Sequence, residues 1–162
     1  MHIRPYAAAD WPELLPILRT AIAGGDTFTW APDCPDAEIH DAWIEHPHAT
    51  YVACSTDGCI LGCYFIKANQ PGLGAHVANA GYCVAPAARG QGVAAAMCEH
   101  SQTAAAEAGF RSMQFNIVVA TNAPAVHLWQ KLGFAIVGRL PGAFRHRERG
   151  FVDAFVMFKQ LA

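Results

Sequence analysis

The chain reads as an α+β fold, with three antiparallel strands ahead of a long helix and further strands after it. Three observations predict it. Strand-length apolar runs recur on both sides of a long Ala-rich segment, and Asp57-Gly58 joins two of them as a hairpin signal. A Gly-rich turn over residues 84–94 then carries one strand straight into the Ala-rich segment, which has helical composition. The element order is βααβββαβαββ, without internal repeat or linker.

Ile3-Arg4-Pro5-Tyr6 predicts a short first strand, and Asp10 stands where it can cap a helix. In that helix Trp11, Leu14, Leu15, Ile17, Leu18 and Ile22 follow helical spacing as far as Gly24-Gly25. A loop over 26–32 leads to a second helix at about 36–44, closed by His46-Pro47. Phe28 and Trp30 in this loop have two readings, a pocket wall or lid and a core plug. Residues 50–54 and 59–68 predict the hairpin strands, and 76–84 predict a third strand. The Ala-rich helix is expected over 92–108, with Gly109 as its stop, followed by a strand over 111–119. Asn122 opens a helix carrying Ala125, Val126, Leu128, Trp129 and Leu132, which ends at Gly133-Phe134. A short strand at 135–137, a polar hinge over 139–150 and a last strand at 151–158 complete the chain.

With 162 residues, 53% hydrophobic and 15% charged, one domain over 1–162 with its own core is expected. The formal charge of −2 gives no basic surface for nucleic acid or anionic lipid, so an anionic ligand must be caught by local geometry. Partners are therefore expected to be small molecules, with no nucleic acid and no membrane. The N-terminal residues carry no apolar signal core, and the expected location is cytoplasmic. Six cysteines without a Cys-x-x-Cys pair read as reduced, mostly core thiols. His46 and His48 flank Pro47 with no further ligands at suitable spacing, so no metal is expected.

The turn Val84-Ala85-Pro86-Ala87-Ala88-Arg89-Gly90-Gln91-Gly92-Val93-Ala94 carries the chemistry. The first amides of a helix have no partner within it and lie at the positive end of its dipole, which suits them to phosphate oxygens. Gly90 and Gly92 admit close backbone approach, and Arg89 adds a planar charge. The run lacks the Gly-Lys-Ser/Thr ending of a nucleotide P-loop and the context of a dinucleotide fingerprint.

Residue for residue, this Arg-x-x-Gly-x-Ala run resembles the acetyl-CoA signature of the GNAT superfamily of acyltransferases. A second segment, Asn122-x-x-Ala125-x-x-Leu128-Trp129-x-x-x-Gly133-Phe134, resembles that family's Asn, Ala, Leu-Tyr, Gly-Phe pattern at the same spacings. The resemblance spans nearly the whole chain. It implies the GNAT fold, a mixed, twisted and mostly antiparallel sheet flanked by helices on both faces, in which the fourth and fifth strands splay apart and the pantetheine arm lies in the gap. It also implies acetyl-CoA as acyl donor, without a metal. The amides of Gln91, Gly92, Val93 and Ala94 are then expected on the pyrophosphate with Arg89 beside it, and Val84 on the pantetheine. An amide near Cys83 or Val84 is expected to polarise the thioester carbonyl. Asn122 reads as a helix cap, a pantetheine contact, or both.

Two departures shape the expected mechanism. Trp129 stands where many GNAT enzymes have the Tyr credited with protonating the leaving thiolate, and an indole N–H does not serve as an acid. Trp129 either packs beside the acyl chain or is a core aromatic. Asn79 stands where related small-molecule acetyltransferases, the phosphinothricin type among them, often carry a Glu base. By strand alternation it shares a face with Gly81 and Cys83, and Asn116 lies across the expected splay. Asn79 and Asn116 match two Asn positions in acetyltransferases acting on azetidine-2-carboxylate and proline analogues, where they hold the acceptor; a structural hydrogen-bond role is the other reading. Phe28 and Phe65 are assigned to the acceptor side. Arg145-His146-Arg147 reads as a solvated cluster, with a substrate carboxylate as the alternative.

The expected function is N-acetyl transfer from acetyl-CoA to a small amine, an amino or imino acid, by direct attack. A catalytically weak acyl-CoA sensor and a protein or peptide amine acetyltransferase are the alternatives. A homodimer is compatible with the uncharged ends of the last strand, near Phe151 and Phe158.

Overall fold

The computed structural model describes residues 1–161, so Ala162, the last residue of the expected domain, lies outside them. The described residues form seven strands and four α-helices: β1 (His2–Pro5), α1 (Trp11–Gly24), α2 (Asp36–His40), β2 (Ala49–Cys54), β3 (Ile60–Ala68), β4 (Val77–Val84), α3 (Val93–Glu107), β5 (Ser112–Val119), α4 (Ala123–Lys131), β6 (Ala135–His146) and β7 (Gly150–Gln160). All seven strands belong to one sheet in the order β1-β2-β3-β4-β5-β7-β6. Only the β4–β5 pair is parallel.

Strand alternation divides the core between the two faces. Along β2 and β3, Val52, Cys63 and Phe65 pack with Leu14, Leu18, Ile22 and Ile39 of α1 and α2. Their neighbours Ala53, Tyr64 and Ile66 pack with Val93, Met97 and Trp129 of α3 and α4. Each helix buries one stripe, as its spacing predicts.

Three local expectations need correction. Asp10 does not cap α1 with its side chain. It accepts from Arg4 Nη1 and Nη2 at 2.7 and 2.8 Å and from the Ala7 N–H at 2.8 Å, closing a short 3-10 turn ahead of the helix. The second helix is α-helical only over α2 and continues through Asp41–Glu45 as a wider π coil. There the His46 N–H reaches back five residues to Asp41 O at 2.9 Å.

The polar segment expected as a hinge is most of β6. It runs along the edge of the sheet, paired with β7, with irregularities between Ile136/Gly138 and Leu140/Phe144. Pro141 and Gly142 fall in the second of these, where a missing N–H and a positive φ of 59° are tolerated. The Gly142 N–H donates to Asp153 Oδ1 at 2.9 Å, and Asp153 also accepts from Arg139. The hairpin is fastened to α1 through Arg147, whose N–H donates to Gly25 O and Nη1 to Ala23 O, both at 3.0 Å.

Candidate active site

β4 and β5 pair only at Val77↔Ser112 and Ala78↔Met113. Beyond that point the strands part. Asn79 sits at the fork, where its Nδ2 donates to Gln114 O at 2.9 Å in place of the next ladder bond.

The β3–β4 register decides which β4 amides look into the gap. Ala85 N–H bonds Leu61 O, and Asn69 N–H bonds Val77 O, each at 2.8 Å, at the two ends of an unbroken antiparallel ladder. Hydrogen-bonded pairs alternate along such a ladder, so Asn79, Gly81 and Cys83 exchange their backbone bonds with β3. Ala80, Tyr82 and Val84 turn theirs toward the open side. Of the two amides expected to polarise a carbonyl, Cys83 is therefore committed to β3 and Val84 is the one that faces the gap. The Cys83 side chain points away as well, its Sγ lying 3.7 Å from Ile17 O, and burial pushes its thiol up to about 12. It is no candidate nucleophile.

The open edge of β4 leads into the glycine turn. Gly90 and Gly92 have φ of 75° and 80°, conformations that L side chains rarely adopt, and space beside both is empty. Among the described residues, the amides of Gly90, Gly92, Val93, Ala94 and Ala95 donate to no backbone carbonyl and no side chain. Gln91 differs from expectation, because its N–H closes the turn onto Ala88 O at 3.4 Å and its side chain bonds Ala87 O. Four successive free amides at 92–95 with an adjacent guanidinium, Arg89, form an anion cradle, and Gly90 adds a fifth donor.

Two cavities follow the gap. The outer, of about 530 Å³, has Val84, Arg89 and Asn122 on its walls, together with Asp26, His146 and Arg149. The inner, of about 340 Å³, reaches the fork and is bordered by Phe28, Phe65, Asn79, Asn116 and Trp129. Thr27, Phe28, Tyr82 and Asn122 line both, so the two meet at the splay.

Every residue assigned to the acceptor or the acyl chain thus borders the inner cavity. Phe28 and Trp30 belong to its wall and also pack on Trp43, with centroids 5.6 and 6.2 Å away. Phe65 lies flush on β4, since a Cβ at Gly81 would stand 2.6 Å from its Cε1. Trp129 packs between Tyr82 and Phe115 with centroids 5.0 and 5.3 Å away, its ring tilted against both. Asn122 Oδ1 caps α4 by accepting from the Ala125 N–H at 3.3 Å. Asn116 donates to Asn69 Oδ1 at 2.7 Å and accepts from Gln114 Nε2 at 2.9 Å, so Gln114 connects the two asparagines.

Three contributors were missed in the sequence. Tyr82 lines both cavities, its hydroxyl 2.7 Å from Ser101 Oγ and held well above the usual phenol range by burial. Lys67 reaches the inner cavity from the far end of β3, and Arg149 reaches the outer one from the β6–β7 turn. Strand parity was a usable signal for Lys67, which lies two residues from Phe65 on the same face. Arg149 had no local signal, because a long-range contact of Arg147 docks its hairpin. No cluster of three or more metal-ligating side chains occurs among the described residues.

A parallel pair opening into a splay, with a glycine-rich anion cradle at its mouth, is the architecture of a GNAT N-acetyltransferase. Residues 11–134 match the acetyltransferase (GNAT) family, and the chain belongs to that family. A GCN5-related N-acetyltransferase from Kribbella flavida superposes with a TM-score of 0.93 at 42% identity, over 98% of this chain and 96% of that one. The N-acetyltransferase aca1 of Schizosaccharomyces pombe is 36% identical over 98 residues, 60% of this chain and 47% of that protein. The aligned segment thus spans about half the length of that curated relative. A phosphinothricin acetyltransferase from Sinorhizobium meliloti, solved with acetyl-CoA, shares the fold at a TM-score of 0.88 and 20% identity, over 99% and 88% of the two chains.

Proposed function

We propose that this protein transfers the acetyl group of acetyl-CoA to the amine of a small molecule, an amino or imino acid. The observation that carries the reading is a pair of free donor sets, the amides at 92–95 and the open edge of Val84 and Tyr82, beside a cavity walled by aromatics.

The chain's free groups fit the donor. The amides of Gly90, Gly92, Val93, Ala94 and Ala95, with Arg89, would hold the pyrophosphate. The backbone N–H and C=O groups of Val84 and Tyr82 would pair with the pantetheine amides, as a strand edge pairs with an added strand. Asn122 would face the same arm while capping α4. Acetyl-CoA supplies an activated thioester; the protein orients it and stabilises charge on its carbonyl oxygen through a β4 amide. Asn79, whose Nδ2 is spent on Gln114 O, keeps Oδ1 to accept from the attacking amine, and Asn116 and Phe28 would border the acceptor.

No carboxylate borders the inner cavity among the described residues. The amine is therefore taken to react in its neutral form, with water carrying the proton away. Trp129 packs beside the acyl chain in this reading, and the thiolate departs unprotonated, since a thiol of pKa about 8.5 is an adequate leaving group. The aromatic wall of Phe28, Trp30 and Phe65 favours a small acceptor over a protein chain. The free state of all six cysteines is in keeping with a cytoplasmic setting.

Thiol release from acetyl-CoA across a panel of amino acids, imino acids and simple amines tests the proposal. It predicts release that depends on the acceptor. Thermal stabilisation by CoA without release on any acceptor would mark an acyl-CoA sensor instead.

A further inference from the structure

We propose that Lys67 binds the carboxylate of the acceptor and so sets the specificity of the inner cavity for amino or imino acids. This rests on the acetyl-transfer reading and assigns it a residue. Lys67 is the one charged side chain bordering that cavity among the described residues. It stands opposite Asn79 in the β3–β4 register, so their side chains project from one face of the sheet at the closed end of the fork. Its Nζ lies 5.4 Å from the centroid of Phe65, so the aromatic wall supports the ammonium without neutralising it.

The other cations near the cleft are accounted for. Arg147 is spent on Ala23 O. Arg89 and Arg149 border the outer cavity, beside the anion cradle. Arg4, Arg19 and Arg139 are paired with Asp10, Asp36 and Asp153. Lys67 has no carboxylate within ion-pair distance among the described residues. Lys67, which also borders a shallow surface pocket with Asp41 and His46, thus keeps a half-buried ammonium free of any ion pair and able to take an anion from the ligand. An acceptor bearing only an ammonium would be repelled there. One bearing a carboxylate can pair with Lys67 while its amine lies beside Asn79, along the cavity toward Tyr82 and Val84. Because no acid borders the cavity, the protein offers the bound ammonium no counter-charge, and the neutral, attacking form of the amine is favoured.

The test is thiol release with matched acceptors, each amino or imino acid against its amide and its decarboxylated amine, on wild type, Lys67→Met and Lys67→Arg. Wild type should prefer the acids by about 10- to 100-fold in kcat/KM, the worth of a charge-assisted hydrogen bond. Lys67→Met, which keeps the stem against Phe65, should erase that preference through the acceptor KM while leaving the acetyl-CoA KM in place. Lys67→Arg should restore part of it. Equal use of acids and amides by wild type, or an acid preference that survives Lys67→Met, overturns the inference and leaves acetyl transfer standing. Should no amine support release, acetyl transfer itself fails. Calorimetric titration with N-acetyl amino acids and their amides then decides the role of Lys67: carboxylate-dependent binding lost in Lys67→Met supports it, and its absence overturns it.

Discussion

Asp10 shows how one side chain can be worth more to the fold than its helix-start position suggests. Its carboxylate receives three donors, two from Arg4 and one from Ala7, and ties the first strand to the entry of α1. The hydrogen-bonded Arg4 guanidinium, with help from the Ala7 N–H and against the cost of burial, holds its pKa below the usual carboxylate value. A carboxylate with a lowered folded pKa contributes stability that is fully present above its unfolded pKa, about 3.9, and is lost as pH falls through the folded value. Asp10→Asn should therefore cost roughly 1–3 kcal/mol at neutral pH and almost nothing in strong acid. Urea midpoints of wild type and variant, measured from pH 7 downward, should converge below about pH 4; a constant offset at every pH would assign the effect to packing.

At the scale of elements, the proposed donor site depends on how α3 begins. Gly92 holds a φ of 80°, and a Cβ there would touch nothing within 4 Å. The cost of Gly92→Ala is thus backbone strain alone, about 1–2 kcal/mol, and the chain can relieve it by turning the amides that follow. The expected result is a raised acetyl-CoA KM with a small loss of thermal stability; an unchanged KM would detach the cradle from donor binding. This turn was legible in the sequence because glycine spacing, helix start and Arg89 are local features. So was Asn122, whose cap bond is made three residues ahead. The long edge strand was not legible. Pro141, Gly142 and the basic run after them read locally as a hinge, whereas pairing with β7 and a bulge around the Pro-Gly step make them strand. The commitment of Cys83 rather than Val84 to β3 was also hidden, because parity depends on a register set by residues some twenty positions away.

At the scale of the molecule, the site exists because neighbouring strands fail to pair. β3 and β7 hold β4 and β5 from outside, α3 and α4 cover one face, and the α1 side with the Phe28 loop covers the other. Asn79 and Gln114 define where the separation starts. The sequence carried the family, the element order and the proposed donor half of the cleft, since these follow from motifs and local patterns. The proposed acceptor half is only partly legible there: residue types and strand positions single out Asn79, Asn116, Phe28 and Phe65, but Lys67 and Tyr82 stand out only once β3, β4 and the loop surround one cavity.

Amide hydrogen exchange with and without acetyl-CoA tests the central claim, that the free donors of the fork are the donor site. Exchange should slow at Gly92, Val93, Ala94 and Ala95 and at Tyr82 and Val84, while Gly81 and Cys83, already bonded to β3, stay protected in both states. Protection confined to other segments, or no change at Val84 and the turn, would contradict the account.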